Sequence, residues 1–560
     1  MPENNQTKEK LLAEISRLNK ELKKKKKYGL VWDSEREPEE VVEMCKGKLP
    51  VLKEVKSKEI ITDKNKPVNL LIEGDNYHAL SVLNYTHAKK IDLIYIDPPY
   101  NTGNKSWKYN NSYVEQDDSY LHSKWLNMME KRLILAKKLL KKDGCLICAI
   151  DENEFANLCL LLNKIFTDYK LDQVVIVHNP RGVQGKNFSY THEYALYVYP
   201  NDGKEYIGNI ERGVHLTEEL RDHGGESLRT DARNCFYPII TDGKKIIEIG
   251  DVPVSGFHPK SKNTKLKNGL VAIWPIDVKG IERKWVFAKD TVFEILNNLE
   301  ITKRSDGFLD VLRKKTEQKP RTVWIDQKYD ASTYGSKVVR QITGVDFPYP
   351  KSLPTVKDCL SIIVKNRKFA TVLDFFAGSG TTGHAVLELN KEDDGNRKFI
   401  ICTNNENKIC EEVTYPRVQK TIKGYRKNGD GEKVSGLGGN LKYFKTDFVN
   451  FKESSDKNKI RMTEEAIEML CVKEGTFEEV ENRVGFKIFK NQDHHTGIIF
   501  DQLAIKEFKK AISDIKGKFS VYIFSLGDDT FDDEFEDIKN KVKLSPIPEA
   551  ILKVYRKIFQ

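Results

Sequence analysis

The tetrapeptide Asp97-Pro98-Pro99-Tyr100 closes the apolar run Ile91–Ile96 and brings a carboxylate, two stiff peptide units and an aromatic face together in four residues. An exocyclic amino group on a nucleobase is a poor nucleophile, because its lone pair is delocalised into the ring. Two oxygen acceptors bonding its hydrogens draw the nitrogen toward tetrahedral geometry and free that lone pair. The Asp97 side chain and the Pro98 carbonyl suit this pair of acceptors, and the prolines fix both oxygens while removing competing N–H donors. Tyr100 supplies a ring on which an extruded base can stack, worth about 1–3 kcal/mol per base. Such an amino group is out of reach inside a duplex, so the base has to be flipped.

A second signature, Asp374-Phe375-Phe376-Ala377-Gly378-Ser379-Gly380-Thr381-Thr382, sits between a strand-like and a helix-like segment. Glycines there let the backbone approach a ligand closely, and the helix N-terminus points its amides at a carboxylate. This suits the methionine moiety of S-adenosylmethionine. The string Gly378–Gly383 also satisfies the dinucleotide pattern G-x-G-x-x-G. The Asp97–Tyr100 element has no role in hydride transfer, and that decides for S-adenosylmethionine. Glu406, just past the next strand, is placed to take the ribose hydroxyls. No Pro-Cys pair supplies the thiolate that C5-cytosine methylation needs. Direct in-line transfer of methyl to nitrogen follows, resting on positioning and electrostatics and implying no metal.

The elements that must position these residues alternate. Asn69–Glu73, Ile91–Ile96, Gly144–Ile150 and Val174–Val177 read as strands, and Tyr77–Tyr85, Ser123–Lys142 and Glu152–Phe166 as helices. The rhythm returns at Lys368–Ala377 (strand), Thr382–Asn390 (helix) and Arg397–Cys402 (strand). Alternation of this kind predicts βαβ units around a parallel sheet, with each candidate residue at the carboxyl edge where such sheets bind ligands. Between the two halves, residues 201–340 lose the rhythm and carry two basic clusters. Lys260, Lys262, Lys265 and Lys267 form one, and Arg313, Lys314, Lys315, Lys319 and Arg321 the other; both are candidate contacts to DNA phosphates. The domains expected are a charged helical arm (1–67), a catalytic half (68–200), a target-recognition region (201–340), a cofactor half (341–450) and a C-terminal assembly domain (451–560). In the arm, Leu11, Ile15, Leu18 and Leu22 repeat at helical spacing ahead of Lys23–Lys27. Phe519–Ser525 (strand) and Glu549–Phe559 (helix) stand out in the last region.

Composition sets outer bounds. The 560 residues, 39% hydrophobic and 31% charged, predict two to four globular domains. A mean hydropathy of −0.55, with no run near the roughly 20 apolar residues of a membrane span and a polar N-terminus, predicts a cytoplasmic protein. Nine cysteines form no disulfide framework. Cys145 and Cys148 have the spacing of half a zinc motif, but they lie in the apolar run CLICAI and read as core thiols. The net charge of +10 permits a polyanionic partner.

With these residues in place, the chain resembles the β-class DNA amino-methyltransferases, in particular the modification (Mod) subunits of type III restriction-modification systems. Further stretches carry the likeness: Ile72–Asn76 (IEGDN), Trp125–Met129 (WLNMM), Thr191–Tyr194 (THEY), Phe347–Ser352 (FPYPKS) and Thr403–Asn407 (TNNEN). The C-terminal SLGDDTFDDEFED and PIPEAILKVYRKIF match more loosely. The resemblance implies a circularly permuted Rossmann-like α/β methyltransferase sheet, catalytic half first, with a large inserted target-recognition region and a C-terminal α/β extension. It implies a cofactor site drawn from Asp75, Asn76, Asp97, Lys351, Ser352, Asp374, Phe376, Gly378, Gly380, Thr381, Thr382 and Glu406. Asp75 would meet the adenine, and Lys351 and Ser352 would flank the methionine end. Many relatives have Lys-Pro where this chain has Lys351-Ser352. His192 and Glu193 would orient the active-site loop rather than act as catalysts. The expected reaction is methylation of adenine N6 in double-stranded DNA, favoured over cytosine N4 because the tetrapeptide begins with Asp97. The expected partners are a second Mod copy and a restriction (Res) helicase-nuclease, since the chain contains no G-x-x-x-x-G-K-[ST] loop of its own. A DNA-binding specificity subunit without catalysis is disfavoured by the intact Asp97–Tyr100 and Gly378–Gly380. An RNA or protein methyltransferase is disfavoured by the order of the two signatures.

Overall fold

The computed structural model describes Trp32 and residues 38–559, except 111, 116, 430, 452–454, 493 and 528. The predicted helix at Leu11–Leu22 and its lysine run lie outside the described residues. The chain divides into one unit made of residues up to Ile207 together with Arg321 onward, and a second made of Gly208–Pro320.

The first unit is built on a ten-stranded sheet. Its strands in chain order are β1 (Lys48–Glu54), β2 (Val68–Glu73), β3 (Ile91–Ile96), β4 (Leu140–Ile150), β5 (Tyr169–Val177), β6 (His192–Pro200), β7 (Val323–Trp324), β8 (Thr371–Asp374), β9 (Lys398–Thr403) and β10 (Asn440–Asn450). Across the sheet they run β1-β10-β2-β9-β8-β3-β4-β6-β5-β7. The run from β10 to β4 is parallel throughout. Strand β6 is antiparallel to both its neighbours, β4 and β5. The segment β2-β9-β8-β3-β4-β6-β5, with its single reversed strand, is the Rossmann-like methyltransferase sheet in permuted order.

All six residues of β3 are buried, which marks a strand covered on both faces. On one face Ile94 and Ile96 join Leu70, Ile72, Ile400 and Cys402 in a core shared with α1 (Asn76–Thr86), α2 (Leu121–Leu139) and α3 (Phe155–Ile165). The alternate residues Leu93 and Tyr95 are buried outside that core. Three further helices, α4 (Leu353–Val364), α5 (Thr381–Asp393) and α6 (Tyr415–Lys423), pack in series with one another.

Several element boundaries differ from those predicted: the strand expected over Val174–Val177 begins at Tyr169, the strand expected from Gly144 begins at Leu140, and the helix expected from Glu152 begins at Phe155. The helix expected to run to Lys142 stops at Leu139, because Leu140 already pairs with Ile91 as the first residue of β4. The strand expected over Lys368–Ala377 is reduced to Thr371–Asp374. The chain turns away at Phe375 to form the glycine loop, where Gly378 takes φ +48°. Cys145 and Cys148 are buried free thiols within β4.

C-terminal to β10, five strands form a second sheet in chain order, from Glu478–Asn482 to Val542–Ile547. The helix Glu549–Phe559 returns to the main sheet, where the Tyr555 hydroxyl donates to the Pro50 carbonyl at 2.5 Å. No helix among the described residues is long and apolar enough to cross a membrane.

The second unit is strand-rich. A three-stranded antiparallel sheet joins Ile210–Glu219, Leu309–Gln318 and Leu299–Lys303, and a four-stranded sheet runs from Ile246–Ile249 to Asn263–Lys265. Tyr237, Ile239, Ile273, Trp285 and Val311 fill its core.

Candidate active site

Strands β3 and β8 lie side by side, so Asp97 and Asp374, far apart in sequence, both emerge at the carboxyl edge of neighbouring strands. From β8 the chain proceeds to β9 on one side, and from β3 to β4 on the other. The crevice between them is therefore a topological switch point, where open α/β sheets take their ligands.

Asp97 is half-buried and its carboxylate meets Lys351 Nζ at 2.9 Å. Lys351 also reaches Glu193 at 3.2 Å, and its ammonium lies 4.6 Å from the centroid of the Tyr100 ring. The Tyr100 hydroxyl donates to Glu193 Oε2 at 3.0 Å. One cation thus serves two carboxylates, and the second carboxylate holds the Tyr100 ring. Burial pushes the Asp97 carboxyl above the ordinary carboxylate value; Lys351 opposes that shift and Glu193 adds to it. The Lys351 ammonium is shielded from water, yet the two carboxylates hold its pKa above the usual lysine value.

The backbone of the tetrapeptide is fixed from outside. The Trp125 indole donates to the Pro99 carbonyl at 2.7 Å and so holds that peptide in place. Asn101 takes φ +59°, a left-handed conformation that asparagine tolerates better than most residues. Its side chain is tied to the fully buried Glu154, which also accepts from Asn157 at 2.8 Å and pairs with His122 at 2.7 Å. The sequence pointed to Asp97–Tyr100 but not to the Glu154 anchor, which lies on another element.

The glycine loop is braced just as closely. Asp374 accepts from the Phe376 amide at 2.9 Å and from the Thr382 hydroxyl at 2.5 Å. It is almost wholly buried, and burial pushes its carboxyl up to about 7 despite those two bonds. Asp374 and Thr382, both expected at the cofactor, are bonded to each other and brace the loop. Thr381 is likewise engaged. Its hydroxyl accepts from Arg417 Nη1 at 2.8 Å, and the same nitrogen reaches Ser379 Oγ at 2.9 Å. Thr414 Oγ1 donates to the Gly378 carbonyl at 2.6 Å. Arg417 is fully buried, and burial lowers its pKa to about 10. Sequence reasoning missed both clamps. The only signal was an arginine on the face of α6 otherwise filled by Val418, Thr421 and Ile422.

The remaining candidates divide. Asp75 caps α1, accepting from the Tyr77 amide at 2.7 Å, and keeps part of its carboxylate exposed. Asn76 donates to the Phe375 carbonyl at 3.0 Å, tying α1 to the glycine loop. Arg132 binds this pair from behind and is itself held by Glu39 at 2.7 Å. Ser352 caps α4 and donates to the Lys328 carbonyl at 2.9 Å; it is buried and serves the helix. Glu406 is partly exposed and pairs with Lys108 at 2.7 Å. Gly380 takes φ +79°, and a Cβ there would sit 3.2 Å from Thr414 Cγ2. Two glycines at positive φ and the amides of the first turn of α5 can donate to a methionine carboxylate, and the exposed part of the Asp75 carboxylate can accept from an adenine amino group or a ribose hydroxyl, so the residues present fit S-adenosylmethionine.

The basic clusters lie in the second unit, except Arg321, which belongs to the first. Lys260, Lys265 and Lys267 are exposed. Lys262 is not a surface cation: it is buried, because it answers the charge of the buried Asp310 at 2.5 Å. Arg313, Lys314 and Lys315 lie on the strand Leu309–Gln318 and meet Glu218, Glu300 and Glu218 at 3.7, 2.9 and 2.7 Å. Carboxylates on the flanking strands thus offset much of their charge.

A permuted sheet of this order, with a proline-stiffened carboxylate and an aromatic ring at one strand end and a glycine loop at the next, defines an S-adenosylmethionine-dependent methyltransferase. A DNA methylase family model matches residues 91–415, more than half of the chain, and the chain belongs to that family. It is similar to the type II methyltransferase M.KpnI of Klebsiella pneumoniae, with 32% identity over 64% of this chain and 84% of that protein. It is also similar to the EcoPI Mod subunit of Escherichia phage P1, with 28% identity over 63% of this chain and 62% of that one. The StyLTI Mod subunit of Salmonella typhimurium is 29% identical over 63% of this chain and 55% of its own length. The matches therefore span less than two thirds of either Mod subunit.

Proposed function

We propose that the protein methylates N6 of adenine at a defined sequence in double-stranded DNA, as the modification component of a restriction-modification system. The observation that carries this reading is the Asp97–Lys351–Glu193–Tyr100 network beside the glycine loop at the switch point. When bound, S-adenosylmethionine supplies an electrophilic methyl group. The Asp97 carboxylate and the Pro98 carbonyl accept the two amino hydrogens of the flipped base and direct the nitrogen lone pair outward. Lys351 keeps Asp97 ionised for that purpose in a site that burial would otherwise neutralise. Tyr100, fixed by Glu193, stacks on the base. As the nitrogen becomes quaternary it must lose a proton, and Asp97, its pKa raised by burial, is the acceptor in contact with it.

Several finer assignments belong to the same proposal. The unit Gly208–Pro320 reads target sequence, with Lys260, Lys265 and Lys267 on phosphates, and residues 451–560 serve assembly. The relatives named as Mod subunits of restriction-modification enzymes support association with a Res subunit; pairing with a second copy and action on cytoplasmic DNA complete the proposal. Modification-aware single-molecule sequencing of DNA from cells expressing the chain, against an Asp97→Ala control, tests the reading. N6-methyladenine in one short motif, absent in the control, is the expected result. N4-methylcytosine would overturn the choice of base, and no mark in cells that also carry the Res partner would overturn the function.

A further inference from the structure

Strand β5 ends at Val177 and β6 begins at His192, paired directly across from it. Because β5 runs in the same direction as β3, the intervening chain leaves the sheet at the edge that carries Asp97. It forms a hairpin, with Val183–Gln184 antiparallel to Ser189–Tyr190. Its base is closed by Asn179 N–H to the Thr191 carbonyl at 3.1 Å and its tip by Gly185 N–H to the Phe188 carbonyl at 3.0 Å. Two glycines make the arm possible. Gly182 takes φ +74° with a Cβ position 2.8 Å from Ser189 Cβ, and a Cβ on Gly185 would lie 2.7 Å from the Phe188 carbonyl oxygen. Two residues beyond its end stands Glu193, the residue that holds Tyr100.

This well-closed arm displays apolar side chains to solvent. Phe188 is 77% exposed, Val183 62% and Tyr190 47%. Residues 178–191 contain Arg181 and Lys186 and no acidic residue. Apolar surface flanked only by cations, continuous with a face that must receive DNA, matches a duplex in chemistry and in place. Extracting a base leaves a gap in the stack, and apolar side chains inserted between base steps are one way proteins hold bases apart.

We propose that this hairpin enters the duplex beside the target base, with Phe188 as the wedge that fills the stack the base leaves. The inference rests on the reading of the protein as a methyltransferase of flipped bases. Phe188 is a positioning residue: it touches the neighbouring bases and acts on the reacting one through the duplex.

The test uses the full chain with S-adenosylmethionine and two duplexes carrying the methylated motif. One is fully paired and the other has an abasic site opposite the target, where extrusion is cheap. A third duplex with 2-aminopurine at the target reports flipping by its fluorescence. Phe188→Ala is expected to lower kcat/KM on the paired duplex by about tenfold or more, and to lose most of the fluorescence rise. It should recover to near the wild-type value on the abasic duplex. Phe369→Ala is the matched control, since Phe369 is 78% exposed but precedes β8 at the opposite sheet edge; it should leave all three readouts unchanged. Wild-type rates and fluorescence in Phe188→Ala would overturn the proposal, as would an equal loss on both duplexes. A defect that shows only when a partner protein is added would also overturn it, and would make the hairpin a protein-docking surface. A wild-type protein inactive on either duplex would refute the underlying methyltransferase reading, and that failure is recognised before any hairpin variant is measured.

Discussion

Lys351→Met removes one charge while keeping a side chain of similar length, which isolates the electrostatics of the active site. In the native protein Lys351 lies 2.9 Å from Asp97 and 3.2 Å from Glu193, with side-chain exposures of 11%, 24% and 5% for the three residues. Without the ammonium, two carboxylates face each other away from water. Breaking a buried ion pair by deleting one partner costs about 3–5 kcal/mol. Asp97 keeps some solvent access, so the lower end, about 3 kcal/mol at pH 8, is expected. Burial already holds the Asp97 carboxyl above its ordinary value, and losing Lys351 raises it further. A carboxyl with a raised folded-state pKa binds more protons folded than unfolded between the two pKa values. Stability therefore falls as pH rises through that window and is regained as pH drops toward the unfolded value. Urea unfolding followed by tryptophan emission, for both proteins at pH 5 and pH 8, should show a deficit at pH 8 that shrinks at pH 5. Adding Glu193→Gln should restore part of the loss at pH 8, because only one carboxylate then remains. A deficit equal at both pH values would refute the reasoning and reduce Lys351 to a packing role.

Two more outcomes follow from the clamps on the glycine loop. Arg417→Met removes the donor shared by Ser379 and Thr381, and S-adenosylmethionine affinity by calorimetry should weaken roughly tenfold or more. Gly380→Ala forces a Cβ into a left-handed position 3.2 Å from Thr414 Cγ2. At about 1–2 kcal/mol for the conformation alone, it should raise the cofactor Kd by about tenfold while leaving DNA binding unchanged.

Much of the architecture was legible in the sequence because its signals are local. The run Ile91–Ile96 is apolar at every position but Asp92 and buried throughout, as in a strand covered on both faces, and the one carboxylate is held by Lys141 and the Thr371 amide. The helix expected near Glu549–Phe559 is found there, with its apolar positions recurring at helical spacing. Boundaries failed where a distant partner decided them. Leu140 continues the pattern of α2, yet it is a strand residue because Ile91 is there to pair with it.

For the site, the sequence by itself determined which chemistry was on offer: an acceptor pair stiffened by two prolines, an aromatic ring, and a glycine turn ahead of a helix. These follow from residue type and from neighbours within a few positions. Only the tertiary structure decided that β3 and β8 adjoin, so that a permuted chain assembles one crevice. It alone assigned Glu193 to Tyr100, Arg417 to the glycine loop, and Lys262 to a buried pair rather than to a surface cluster. The physical reason is the same in each case. A charge is stabilised or spent by whatever stands within about 4 Å of it, and for a buried charge that neighbour comes from another part of the chain.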